Sequence, residues 1–241
     1  MFDARKLLEE FMGPGTGSGG AGRSGDMMAR GKDYLRSNSG GLAGGALAGG
    51  LAGLLLGTKG GRKLGKTALT YGGMAVVAGL AYKAYRDYQG SRGQAEPRQA
   101  PAAEPVLPPP SDSPFAPERQ PGGENAFALT LLTAMISAAK ADGHIDAEEQ
   151  RRIFDRLDQL SLDSEAKAFV MDELRAPLDI DRVVAGAKSP EAALEVYAAS
   201  RLAIDPDHPA ERAYLQMLSA RLGLEPGLVE EVDRAVLEAG A

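Results

Sequence analysis

The chain has 241 residues, with 27 Lys+Arg against 33 Asp+Glu and neither Cys nor Trp. This length allows one or two domains, and the missing cysteines exclude disulfides, thiolate nucleophiles and Cys-ligated zinc. Charge is split between the halves: 15 Lys+Arg against 10 Asp+Glu over residues 1–123, then 12 against 23 over 124–241. The acidic half would repel phosphates, so no nucleic-acid partner is expected.

The N-terminal stretch "MFDARKLLEEFMGPG" is interrupted by acids and does not read as a secretory signal. Phe2, Leu7, Leu8 and Phe11 fall roughly on one face of a short helix that Gly13 and Pro14 would end. Such a helix suits docking onto a domain, and a membrane surface is the alternative. Residues 13–40, rich in Gly and Ser, read as a flexible linker, so 1–40 is a short helix plus linker.

Residues 41–88 read as a membrane segment. The first run, "GLAGGALAGGLAGLLLG", places Gly41, Gly45, Gly49, Gly53 and Gly57 at every fourth position. In a solvated helix each glycine costs about 1 kcal/mol relative to Ala. In lipid the stripe permits close helix approach, either within a hairpin or in a homo-oligomer. The basic loop with Lys59, Arg62, Lys63 and Lys66 follows, then a second apolar run from Ala68 to Tyr82. Both runs are near the lower length limit for a span. A Gly-zipper hairpin and a single span with an interfacial segment both fit, and a soluble Gly/Ala-rich tract is the third reading. Residues 89–123 hold nine prolines and read as a Pro-rich disordered linker.

Residues 124–241 show helical periodicity and no strand-like alternation. They predict a bundle of six or seven helices over about 124–141, 146–160, 163–175, 179–186, 190–203, 209–222 and 226 onward. Ser189–Pro190, His208–Pro209 and Glu225–Pro226 mark three helix starts. The expected core includes Phe127, Leu131, Met135, Val170, Leu174, Tyr214, Leu215, Leu218, Val232 and Val236.

Two acidic turns carry the chain's only histidines, His144 and His208. "DGHIDAEE" matches the second half of a calcium-binding EF-hand loop. The two earlier ligand positions fall on Ala138 and Lys140, which cannot coordinate calcium through their side chains. Sixty-three residues later, Asp205 and Glu211 repeat the spacing of Asp142 and Glu148. Should the two turns meet, Asp142, Asp146, Glu149, Asp205, Asp207 and Glu211 would form an oxygen-rich site for a divalent metal ion. Helix capping accounts for the same residues: Asp146 as N-cap with Glu149 at N3, and His208 before Pro209.

The stretches "AAKADGHIDAEEQRRI" and "AASRLAIDPDHPAERAYLQMLSARLGL" resemble the tellurite-resistance TerB-like family, and more narrowly the YebE-like branch of bacterial inner-membrane proteins. The resemblance covers roughly 124–238, and the start "MFDARKLLEEFMG" also fits that branch. It implies an all-helical fold with an internal repeat, with metal held by the six carboxylates named above. No nucleophile elbow, phosphate loop or H-E-x-x-H motif occurs, so no enzyme activity is expected. The expected function is a binding or sensing module tethered to the bacterial inner membrane, with an unidentified protein partner. A metal-binding stress-response domain is the alternative.

Overall fold

The computed structural model describes residues 2–12, 71–91, 106–143 and 162–240. Its helices are α1 (Ala4–Met12), α2 (Gly73–Ser91), α3 (Glu124–Ala139), α4 (Ser164–Arg175), α5 (Ile180–Gly186), α6 (Pro190–Ala203), α7 (Pro209–Arg221) and α8 (Pro226–Gly240), with a short 3-10 turn at Pro117–Arg119. The described residues contain no strand, so the all-helical class expected from periodicity holds. The helices expected from 163 onward appear with boundaries shifted by a residue or two. The helix expected at 146–160 lies outside the described residues.

Helix α6 is the central post. Ser189 caps it, its side chain accepting from the Ala192 N–H at 3.1 Å, and Pro190 occupies the first turn. Every residue from Ala192 to Arg201 is buried. This burial needs small residues: Ala198, Ala199 and Ser200 let α3 approach closely, and the Ser200 hydroxyl donates to its own helix at Val196 O, 2.9 Å away. Helix α3 supplies the facing layer with Leu131, Leu132 and Met135, each fully buried. Each such side chain contributes about 1.5–3 kcal/mol by leaving water. Helices α2, α7 and α8 complete the packing around α6.

Helix α2 contains most of the second apolar run, and its surroundings correct the expectation of a membrane segment there. Val76, Val77, Leu80, Ala81 and Ala84 are fully buried, packed against α8, α6 and α1. Lys83 lies at the edge of that interface and bonds Asp87 at 3.1 Å and Glu238 at 3.0 Å. The apolar face is satisfied by protein, and Lys83, Arg86 and Asp87 charge the second half of the helix. No helix among the described residues is long and apolar enough to cross a membrane. The first run, 41–57, lies outside the described residues.

The second half of the Pro-rich segment also departs from expectation. Residues 106–123 form a strap against the bundle, with Val106, Phe115, Ala116 and Gln120 buried. Phe115 packs on Tyr82 and Tyr85, with ring centroids 5.9 and 5.5 Å away. A Cβ at Gly79 would collide with the Leu107 carbonyl, so this glycine of α2 admits the strap's backbone. Prolines fix φ in advance and reduce the entropy lost on ordering, so a Pro-rich chain with a few apolar anchors can dock. The strap thus takes residues 106–123 out of the expected disordered linker, while 92–105 lies outside the described residues.

The N-terminal helix docks. Ala4, Leu7 and Leu8 are fully buried against α3 and α2, and Phe2 meets the Phe169 ring at 5.6 Å. Asn125 fixes the entry, accepting from the Ala4 N–H at 2.6 Å and donating to Phe2 O at 3.3 Å. Arg5 pairs with Glu124 beside it.

Candidate functional site

The first acidic turn follows α3. Lys140 closes that helix, its N–H reaching Ile136 O at 3.2 Å. Gly143 then turns the chain at φ +75°, a left-handed conformation that glycine adopts without steric cost. The Lys140 ammonium donates to Glu173 O at 2.7 Å and to Ala176 O, both at the C-terminal end of α4. A cation there satisfies carbonyls that the helix leaves unpaired. Burial lowers the Lys140 pKa, an effect that Arg182 reinforces and Glu173 opposes. The position that a calcium loop would need as a ligand is therefore occupied by a structural cation.

The second turn joins α6 to α7. Arg201, itself buried, donates to Ile204 O at 2.8 Å, and Arg212 donates to Pro206 O at 3.0 Å and Asp207 O at 2.6 Å. His208 is the N-cap of α7: its Nδ1 accepts from the Ala210 N–H at 3.3 Å, and its own N–H donates to Glu211 Oε2 at 3.2 Å. This reciprocal arrangement is a capping box with His in the place usually taken by Ser or Thr. The helix-capping role of His208 is thus present.

The expected carboxylates are only partly brought together. Glu211 is buried, at 6% exposure, and burial raises its pKa. The His208 N–H acts in the opposite direction, while the negative charges of Asp142 and Asp207 raise the pKa further. Asp142 of the first turn therefore lies within electrostatic reach of Glu211 of the second, and α3 packs against α7. Asp205 and Asp207 are exposed. Among the described residues no group of three or more His, Asp or Glu side chains is placed to hold a metal ion. Asp146, Glu149 and His144 lie outside the described residues.

Two features were not anticipated from the sequence. One is a cleft of about 740 Å³ between the α5–α6 and α7–α8 connections, closed on one side by the strap. Leu194, Leu222, Leu224, Leu228, Tyr85 and Phe115 give it apolar walls, and Lys188, Glu191, Arg221 and Glu225 line it with charges of both signs. Arg221 is bonded to Asp181. The Gly223 turn after α7, at φ +68°, was the available sequence signal for one wall. The other is Glu195, which is fully buried on α6 and accepts from the Gln120 side-chain amide at 2.6 Å. Its signal was an acid in the buried, alanine-rich middle of α6, between Leu194 and Val196.

Residues 41–236 match a family described as "Protein of unknown function (DUF533)", and the chain belongs to that family, which is TerB-like. It is also similar to an uncharacterized protein encoded in the ampR 5' region of Yersinia enterocolitica. That relative is 29% identical over 108 residues, covering 45% of this chain and 78% of the relative. No solved structure matches.

Proposed function

For this member of the DUF533 family we propose a non-catalytic binding or sensing module of the bacterial envelope, tethered at the inner membrane. The observation that carries the binding part is the cleft of about 740 Å³. Ligand sites are typically concave, mostly apolar and about 300–1,000 Å³ in volume. This cleft combines apolar walls with charged groups of both signs, so a ligand with an apolar body and a polar end suits it.

The tether is assigned to residues 41–57 alone, because the second apolar run is used inside the bundle. That stretch carries no charge, and Lys59, Arg62, Lys63 and Lys66 follow it. The Gly stripe would serve self-association there. The resemblance to the YebE-like branch supports the same location. Fractionation of cells expressing the full chain is the test. A membrane-bound pool that disappears when 41–57 is deleted supports the tether, and a wholly soluble full-length chain rejects it.

A second reading is divalent metal binding by the paired acidic turns, as in a stress-response domain. The electrostatic influence of Asp142 on Glu211 favours it, since it links one carboxylate from each turn. Asp146, Glu149, Asp205 and Asp207 would complete the donor set. A divalent ion that binds the folded state raises its melting temperature. Loss of that rise in the Asp142→Ala/Asp205→Ala double variant supports the site, and the absence of any rise in the parent chain rejects it.

A further inference from the structure

Among the described residues, the side-chain hydrogen bond of Gln120 to Glu195 joins the strap to the bundle within a largely apolar interface. Gln120 is buried at 4% exposure and Glu195 at 0%. The Gln120 amide donates to Glu195 Oε1 at 2.6 Å. The other oxygens of the pair, Glu195 Oε2 and Gln120 Oε1, are buried acceptors without a donor from the protein. Buried acceptors left without a donor are costly, and a neutral Glu195 carboxylic acid leaves fewer acceptor sites to satisfy than the anion does.

Among the described residues, the surroundings offer the anion no counter-charge. On α2, Lys83 and Arg86 pair with Asp87, and Lys83 also pairs with Glu238. On α6 itself, Arg201 pairs with Asp233 of α8. Arg234 of α8 engages Glu231, Glu238 and Asp87. Glu124 of α3 pairs with Arg5, and on α7 Arg212 and Glu211 are bonded within the His208 turn while Arg221 pairs with Asp181. Glu118 and Arg119 of the 3-10 turn are exposed. The charge that bears on Glu195 is that of Glu191, one turn back on the same helix and of the same sign. Burial, aided by Glu191, pushes the Glu195 carboxyl well above the usual carboxylate range.

We propose that Glu195 and Gln120 form a proton-dependent latch, closed while Glu195 is neutral and released when it ionises, which frees strap residues 106–123 from the bundle. Opening transfers the carboxylate to water, where it ionises at its ordinary pKa. Between the pKa of the open state and that of the closed state, the opening constant therefore rises by up to about tenfold per pH unit. Release also withdraws Phe115 from the cleft wall and uncovers the apolar face of Tyr82 and Tyr85.

Trypsin reads the latch, because Arg119 is exposed but its scissile bond leads directly into the buried Gln120. The full chain is digested briefly from pH 6 to 9. The cut after Arg119 is quantified by mass spectrometry and divided by the cutting rate of a free peptide of residues 111–123. The expected result is a normalised rate that climbs with pH in the parent chain. Glu195→Gln, which keeps the neutral shape, should flatten it. Glu191→Gln leaves the core intact and should end the climb at a lower pH, because it removes the like charge that favours the protonated form. A pH-independent rate in the parent overturns the latch. So does the same climb in Glu195→Gln, or a climb that Glu191→Gln does not move. If Glu195→Gln fails to fold, the parent and Glu191→Gln profiles decide.

Discussion

The two acidic turns share a spacing but not a job. Lys140, two residues before Asp142, closes the end of α4 by donating to two of its last carbonyls. After α6, His208 and Glu211 cap the start of α7 from within the turn. The first turn therefore ties together two elements distant in sequence, and the second organises one helix locally. Similar acidic patterns can thus conceal opposite uses, since a helix start attracts acceptors and a helix end attracts cations.

This contrast ranks the effects of substitution. Lys140→Met keeps the stem and removes the ammonium, leaving two part-buried carbonyls without their charged donor. It should lower stability by about 1.5–3 kcal/mol, as for other charge-assisted hydrogen bonds, measured by denaturant unfolding. A change as small as that of a surface substitution would show that the first turn is not a tie. His208→Ala removes the local cap and should cost about 1 kcal/mol. Its signature is early fraying of α7, read by hydrogen exchange at the Ala210 amide.

Glu211→Gln sharpens the comparison through pH. The native pKa of Glu211 lies above its ordinary value, chiefly through burial, so the native state favours the protonated form. The stability this group contributes is complete below the unfolded carboxylate pKa and falls as pH rises toward the native value. Glu211→Gln should remove that decline, so its stability relative to the parent should increase with pH upward from the ordinary range. Parallel curves would contradict the burial argument. Asp142→Asn removes one of the charges that raise the Glu211 pKa and should move the end of this decline slightly toward acid. The smallest effect is expected for Asp205→Ala. Its exposed side chain should change stability by less than about 0.5 kcal/mol, unless a divalent ion is present and the metal reading holds.

Much of the bundle was legible because its signals are local. Ser189–Pro190 and His208–Pro209 start α6 and α7 where N-cap chemistry places them, and Val170, Leu174, Tyr214 and Leu218 are buried as their periodicity requires. The second apolar run was misread because a helix with one very apolar face looks alike whether lipid or protein covers it. The partners that decide the matter, Val232, Val236 and the α6 face, lie more than a hundred residues away in sequence. The strap was missed for a related reason. Proline content signals the absence of regular structure, but not the absence of docking, and only Gly79 in α2 hinted at a backbone passing close by.

At the candidate site, capping by His208 follows from its place before Pro209, because capping involves only neighbours in the chain. The approach of Asp142 to Glu211 was posed by the repeat in the sequence, but its realisation depends on how α3 crosses α7. Glu195 is the clearest case. An acid in an alanine-rich helix shows only that a charge sits among small residues.

The sequence alone determined the helical class, the caps and most helix boundaries, since hydrogen bonds and apolar spacing within about four residues set them. The tertiary structure decided which apolar face is covered by protein, which chain segment lies across the cleft, and which carboxylates are buried. Those outcomes depend on desolvation by distant neighbours, a quantity that local sequence does not contain.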